Sequence, residues 1–196
     1  SMRMEMRHME RLRLAIDIDD TIIHHPAIRS MQPADIGPYF DRVDFYDDLT
    51  MSTLNVAILA MLQAKFDIYF VTKCFLSHLD SKKNFIDRSM KTRYQLKGDD
   101  DPRVIPYTFV DFGIDYESSY DKSNGIVPGH DTGKGTLAWA DYFVDDSKKN
   151  LLASSVENLY LIKYDCPSSG HWNDGDDGRD FHVVRDMSSM YQHICT

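Results

Sequence analysis

Residues 12–21 run Leu-Arg-Leu-Ala-Ile-Asp-Ile-Asp-Asp-Thr, an alternating apolar stretch that ends in Asp17, Asp19 and Asp20. Asp17 and Asp19 stand two apart, so on an extended backbone both side chains leave by one face. Two carboxylates on one face repel, and each raises the other's pKa unless a cation lies between them. A pair at a strand end suits a hard divalent ion, and Mg²⁺ takes oxygen ligands while keeping several of its waters. Two other apolar runs end in polar residues of the same kind: 66–71 in Thr72 and Lys73, and 142–144 in Asp145 and Asp146. Lys134 lies between two glycines ahead of the second acidic pair. Each position has a plainer use. A lone Asp such as Asp20, or Thr72, caps a following helix, and Asp145-Asp146 makes a charged turn.

The elements that must position these residues follow from periodicity. Residues 12–18 read as a strand, 66–71 as a second, 104–110 as a third, 140–144 as a fourth and 159–164 as a fifth. A helix is expected over 50–65, with Leu54, Ala57, Ile58, Met61 and Leu62 on its apolar face and Thr50 or Ser52 as N-cap. Further helices are expected over 77–95, 133–139, 148–155 and 187–194. Strands alternating with helices imply an α/β fold: a Rossmann-like parallel sheet of about five strands with helices on both faces.

The intervening segments are read from composition. Residues 20–48 hold Pro26, Pro33, Gly37 and Pro38, which rule out a long helix. They also carry His24, His25, Tyr39, Phe40, Phe45 and Tyr46, and are expected to form a flap, or minimal cap, over the site. Adjacent histidines on an extended chain point to opposite faces, so His24 and His25 make a poor metal pair. Residues 98–102 read as a solvated turn, 111–132 as an aperiodic insertion loop and 166–180 as a Gly/Asp-rich loop without the spacing of a calcium-binding hand.

A chain of 196 residues, 42% hydrophobic, can bury one good core, so a single domain over 1–196 is expected. Its 31 acidic against 22 basic residues give a formal charge of -9, which disfavours a broad nucleic-acid surface or an anionic membrane as partner. Cys74, Cys166 and Cys195 form no CxxC pair, and the odd number argues against a disulfide framework and for a reducing, cytoplasmic setting. No stretch approaches the length of a membrane span. Residues 1–11 form a charged, Met-rich tail unlike a signal peptide, in which Ser1-Met2 looks like a cloning remnant followed by the native start.

With all four groups in order, the chain resembles the haloacid dehalogenase superfamily of phosphohydrolases over residues 12–164. The four motifs read Asp17-x-Asp19-x-Thr21, Val71-Thr72, Lys134 and Tyr142-Phe-Val-Asp145-Asp146. Lys122 is the rival for the motif lysine. The resemblance implies Mg²⁺ held by Asp17, Asp145 and the backbone carbonyl of Asp19, with Asp146 and Thr21 supporting the ligands. It implies Asp17 as nucleophile, giving an aspartyl-phosphate, and Asp19 as general acid and then base. Thr72, Lys73 and Lys134 would bind the substrate phosphate.

Within the superfamily the chain looks most like the 5′(3′)-deoxyribonucleotidase type, from its Leu-Arg-Leu-Ala strand, the spacing of Lys134 before Asp145, and Asp145-Asp-Ser-x-x-Asn150. That implies a small phosphorylated substrate, a (deoxy)nucleoside monophosphate, whose base such enzymes grip with aromatics from a cap. Here segment 22–49 is short for a large cap, and Tyr39, Phe40, Phe45 and Tyr46 could stack a base or pack onto the core. The alternatives are a phosphatase of nucleic-acid 3′ ends or phosphoproteins, and a catalytically silent metal-binding domain. Oligomeric state is left open, a homodimer included.

Overall fold

In β1 (Leu12–Ile16), Leu14, Ala15 and Ile16 are all fully buried, yet they enter two different cores. Leu14 and Ile16 join one hydrophobic cluster and Ala15 the other. Side chains alternate across a strand, so this strand is covered on both faces, as strands of parallel sheets are. The computed structural model describes residues 11–25, 27, 30–40, 44–91, 107–114, 137, 139–163 and 181–196.

Among the described residues five more strands follow: β2 (Phe66–Phe75), β3 (Thr108–Ile114), β4 (Tyr142–Asp145), β5 (Asn158–Ile162) and β6 (His182–Val184). All six pair in parallel, in the order β3-β2-β1-β4-β5-β6, which is the expected α/β, Rossmann-like arrangement with an open sheet. The helices are α1 (Pro33–Phe40), α2 (Thr53–Gln63), α3 (Leu79–Met90), α4 (Lys148–Ala153) and α5 (Met187–Ile194). The larger core joins Val144, Tyr160 and Ile162 to Leu59 and Leu62 of α2, Phe85 and Met90 of α3, and Met187 and Met190 of α5. The smaller joins Phe143, Leu159 and Leu161 to Leu151 of α4, Leu137 and Ala140. Helices therefore cover both faces. Among the described residues no helix is long and apolar enough to cross a membrane.

Several expectations are corrected. β1 stops at Ile16, not at 18, because the Ile18 carbonyl turns to accept from the N–H groups of Thr21, Ile22 and Ile23. β2 continues past 71 to Phe75, since β3 supplies ladder partners from Tyr69↔Thr108 to Phe75↔Ile114. β3 runs over Thr108–Ile114; of the strand expected over 104–110, residues 104–106 lie outside the described residues. The expected loop at 111–132 therefore begins with four strand residues; 115–132 lie outside the described residues. β5 covers 158–162 instead of 159–164, and β6 was not expected at all.

The helices are shorter than their patterns suggest. α2 begins at Thr53, capped by Ser52, whose Oγ accepts from the Asn55 N–H at 3.1 Å. Its buried residues are Val56, Ile58, Leu59 and Leu62, while Leu54 is 60% and Met61 45% exposed. The expected apolar face was thus rotated. The helix expected over 77–95 opens as a 3₁₀ turn, Leu76–His78, and its α-helical part ends at Met90. α4 ends at Ala153, not at 155, and Ser147 caps it. Of the helix expected at 133–139 only Leu137 and Trp139 are described, with Trp139 in a turn. The loop at 166–180 lies outside the described residues.

Candidate metal centre and its neighbours

From β1 the chain passes to β2 and β3 on one side, then crosses to β4, β5 and β6 on the other. The order reverses between β1 and β4, and in open α/β sheets the crevice beyond the carboxyl ends at that point is where ligands bind. Ile16 pairs with Val144, and the Asp17 N–H donates to the Val144 carbonyl at 2.9 Å. Asp17 thus leaves the end of β1 beside Asp145, the last residue of β4. Both are buried, Asp145 completely. Carboxylate oxygens of Asp17, Asp145 and half-buried Asp146 all lie within 4.8 Å of one another.

Local hydrogen bonds aim these groups. Thr21 Oγ1 donates to Asp17 Oδ2 at 3.0 Å from a fully buried position. Asp20, at the corner of the turn, has φ 54, a left-handed conformation that Asp tolerates better than most residues. Its Oδ1 accepts from the His25 N–H at 3.2 Å and lies 3.3 Å from His24 Nδ1, so it caps a turn and not a helix. Asp145 Oδ1 accepts from the Ser147 N–H at 2.8 Å, and Asn150 Nδ2 reaches Oδ1 and Oδ2 at 3.4 and 3.3 Å. Burial, followed by the charges of Asp17 and Asp145, pushes Asp146 well above the ordinary carboxylate range.

The group fits a hard divalent cation. Such ions hold oxygens at about 2.0–2.6 Å, which spaces ligands on one ion no more than about 4–5 Å apart. The Asp17, Asp145 and Asp146 oxygens meet that spacing, and all are hard anionic donors. The expected ligand set was Asp17, Asp145 and the backbone carbonyl of Asp19, with Asp146 in support; the structure brings the Asp146 carboxylate into the cluster itself, and the Asp19 side chain meets other partners.

Asp19 is held at both oxygens. His25 Nε2 donates to Oδ1 at 2.9 Å; the Tyr46 hydroxyl and the Lys82 ammonium donate to Oδ2 at 2.8 and 2.6 Å. Burial alone would raise the Asp19 pKa, but the Lys82 charge and the His25 and Lys82 hydrogen bonds outweigh it and hold the carboxyl far below its usual range. Asp19 is therefore ionised at neutral pH. Tyr46 and Phe45 are 4% and 3% exposed and belong to the larger core, so these two flap aromatics are packed and cannot stack a ligand. Tyr39 is partly buried against the same core, its ring 5.0 Å from Phe45. His24 and His25 do face apart, toward Asp20 and Asp19.

Thr72 lies in β2 two residues past Phe70, the partner of Ile16, and so just beyond the end of β1. It is 1% exposed, and among the described residues its hydroxyl has no hydrogen-bond partner. Lys73 continues β2, where Phe112 is its ladder partner. Lys134 and Lys122 lie outside the described residues.

Lys82 escaped sequence reasoning. It sits on the face of α3 that also buries Phe85, Ile86, Ser89 and Met90, and is itself 1% exposed. The available signal was a lysine at i of an i, i+3, i+4, i+7 stripe, beside Lys83, which meets solvent instead. His25 and Tyr46 were noticed for their types but not for Asp19. No protein-family model matches the chain, and no curated protein matches it either.

Proposed function

We propose that this chain is a Mg²⁺-dependent phosphomonoesterase of the haloacid dehalogenase type, working through an aspartyl-phosphate on Asp17. The observation that carries this reading is the convergence of Asp17, Asp145 and Asp146 at the β1–β4 switch point, with Asp19 two residues along. Asp17, Asp145 and Asp146 would hold the ion, which supplies charge neutralisation for a dianionic phosphate.

The chain's own residues do the rest. An Asp17 oxygen attacks phosphorus, and the P–O bond to the leaving group breaks with its electron pair going to the leaving-group oxygen. Asp19, ionised, takes a proton from the water that cleaves the Asp17–phosphate bond, while the leaving oxygen takes its proton from solvent. The ionised form is the one its three donors favour. Thr21 fixes the Asp17 rotamer, and Asn150 with the Ser147 N–H fixes Asp145. Among the described residues the Thr72 hydroxyl has no partner, which supports a role in binding a phosphoryl oxygen, since a buried hydroxyl without a partner costs about 1–3 kcal/mol.

A (deoxy)nucleoside as leaving group rests on the resemblance alone, and the burial of Phe45 and Tyr46 removes two of the aromatics it would have used. The test is phosphate release from 5′- and 3′-nucleoside monophosphates and an aryl phosphate, with Mg²⁺ or EDTA, beside Asp17→Asn. Turnover that needs Mg²⁺ and disappears in Asp17→Asn supports the reading. Turnover of the aryl phosphate but of no nucleotide keeps the chemistry and removes the nucleotide. Absence of any turnover, with Mg²⁺ bound, overturns it.

A further inference from the structure

α3 buries a charged residue where its stripe calls for an apolar one. Lys82 lies one turn ahead of Phe85 and Ile86 and is 1% exposed, while its neighbour Lys83 is exposed. A buried ion pair is a poor stability device, because well-packed hydrophobic residues of similar volume serve as well or better. The charge is also not there to anchor the helix, which has other polar ties. Ser81 Oγ donates to Asp47 Oδ1 at 2.7 Å, and Arg88 Nη2 donates to the carbonyls of Tyr46 and Leu49 at 3.1 and 2.9 Å.

Those ties bind α3 to the turn that carries Tyr46. The Phe85 ring stacks on the Tyr46 ring at 6.1 Å, and Lys82 Nζ lies 5.2 Å from the same ring's centre. The side chains then meet on a single atom, Asp19 Oδ2, at 2.6 and 2.8 Å. His25, from the turn after β1, holds Oδ1 at 2.9 Å and is itself 2% exposed. Donors from three separate segments fix both the position and the plane of one carboxylate, two residues from Asp17.

We infer that Lys82, Tyr46 and His25 are positioning residues that hold Asp19 oriented to deprotonate the water attacking the phosphorylated Asp17. The inference rests on the phosphomonoesterase reading and adds to it which half of the reaction these residues serve. In that half the water oxygen bonds to phosphorus, its proton passes to Asp19, and the P–O bond to Asp17 breaks with the electron pair returning to the Asp17 carboxylate. Three donors fix the position and plane of the carboxylate that this step needs. That carboxylate does nothing for the first half when the leaving group departs without a proton.

The test uses that asymmetry, because kcat/KM reports the steps up to phosphorylation of Asp17, and kcat also includes its hydrolysis. With Mg²⁺ and an aryl phosphate, Lys82→Met is expected to lower kcat about tenfold or more, a fraction of what positioned acid–base groups contribute. Its kcat/KM should stay unchanged, and phosphorylated protein should accumulate, read by intact mass after acid quench. Tyr46→Phe, which removes one hydroxyl from a packed ring, should show the same split more weakly, and it carries the test alone if Lys82→Met does not fold. Exposed Lys83→Met should leave both constants at wild-type values. Parallel loss of kcat and kcat/KM, or no change in either, overturns the positioning role. A wild type that hydrolyses no phosphomonoester overturns the parent reading, and this inference with it.

Discussion

The Asp17 N–H donates to the Val144 carbonyl at 2.9 Å, which ties the first residue after β1 to the residue before Asp145. Backbone pairing, and not side-chain attraction, thus brings two acidic strand ends together. The sheet supplies the free energy that holds like charges close, and the site carries the strain of that arrangement.

A ligand that relieves this repulsion should stabilise the fold. At a concentration of Mg²⁺ about 100 times its Kd, linkage gives about 2.7 kcal/mol. For a chain of this size that corresponds to a rise of about 5–10 °C in Tm. Asp145→Asn should lose most of the rise. Thermal melts in Mg²⁺ and in EDTA check both, and equal melting temperatures for the wild type in the two buffers would remove the metal assignment.

The same repulsion gives a pH dependence. Burial and the charges of Asp17 and Asp145 raise the Asp146 pKa well above its unfolded value near 3.8. A carboxyl raised on folding contributes stability fully below its unfolded pKa, and the contribution is lost as pH rises through the folded value. Asp19 is shifted downward, so its contribution is present above its unfolded pKa and is lost as pH falls through the lower folded value. The metal-free protein should therefore weaken from mild acid toward neutrality, and Asp146→Asn should flatten that decline. Urea midpoints in EDTA across this range decide, and a wild-type decline that Asp146→Asn leaves unchanged counts against the assignment.

Asp17 and Asp145 were legible in the sequence because each ends an apolar run, and strand ends at a switch point are where such residues meet; Asp146 was read as a supporting residue and stands in the cluster itself. Ser52 was legible as a cap for a similar local reason. The end of β3 was missed because Asp111 and Gly113, poor strand formers, are carried by pairing to β2. β6 has three residues, too few for any period to show. Lys82 was missed because an apolar stripe is normally read by its apolar members, and the charge matters only through Asp19, far away in sequence.

The face of α2 was misjudged for a different reason: Thr53–Gln63 is apolar nearly all round, so period alone selects no side. The structure buries Leu59 completely and leaves Leu54 60% exposed. Leu59→Ala should cost about 2–5 kcal/mol, as deletions from a packed core do. Leu54→Ala should change stability by no more than about 0.5 kcal/mol. Urea unfolding of the two variants separates the faces, and similar losses would show that Leu54 is packed.

The Asp19–Lys82 pair should behave asymmetrically on mutation. Asp19→Ala leaves the Lys82 ammonium buried without its carboxylate, and breaking such a pair costs about 3–5 kcal/mol. Asp19→Ala/Lys82→Met removes both charges and should recover most of that loss. Equilibrium unfolding of the single and double variants measures the coupling. A double variant no more stable than Asp19→Ala would mean that the loss comes from packing and not from the stranded charge.

Thr72 offers the opposite separation of stability from function. Its hydroxyl is buried, and no described residue accepts from it or donates to it. Val has nearly the same shape and no polar group, so Thr72→Val should leave the fold as stable or raise its unfolding free energy by about 1 kcal/mol. If the hydroxyl binds a phosphoryl oxygen, the same change should weaken phosphate-dependent turnover about tenfold to a hundredfold, since one hydrogen bond to a charged group is worth about 1.5–3 kcal/mol. Tm and kcat/KM for an aryl phosphate then move in opposite directions. A variant that is destabilised and fully active would show instead that Thr72 is satisfied within the fold and takes no part in binding.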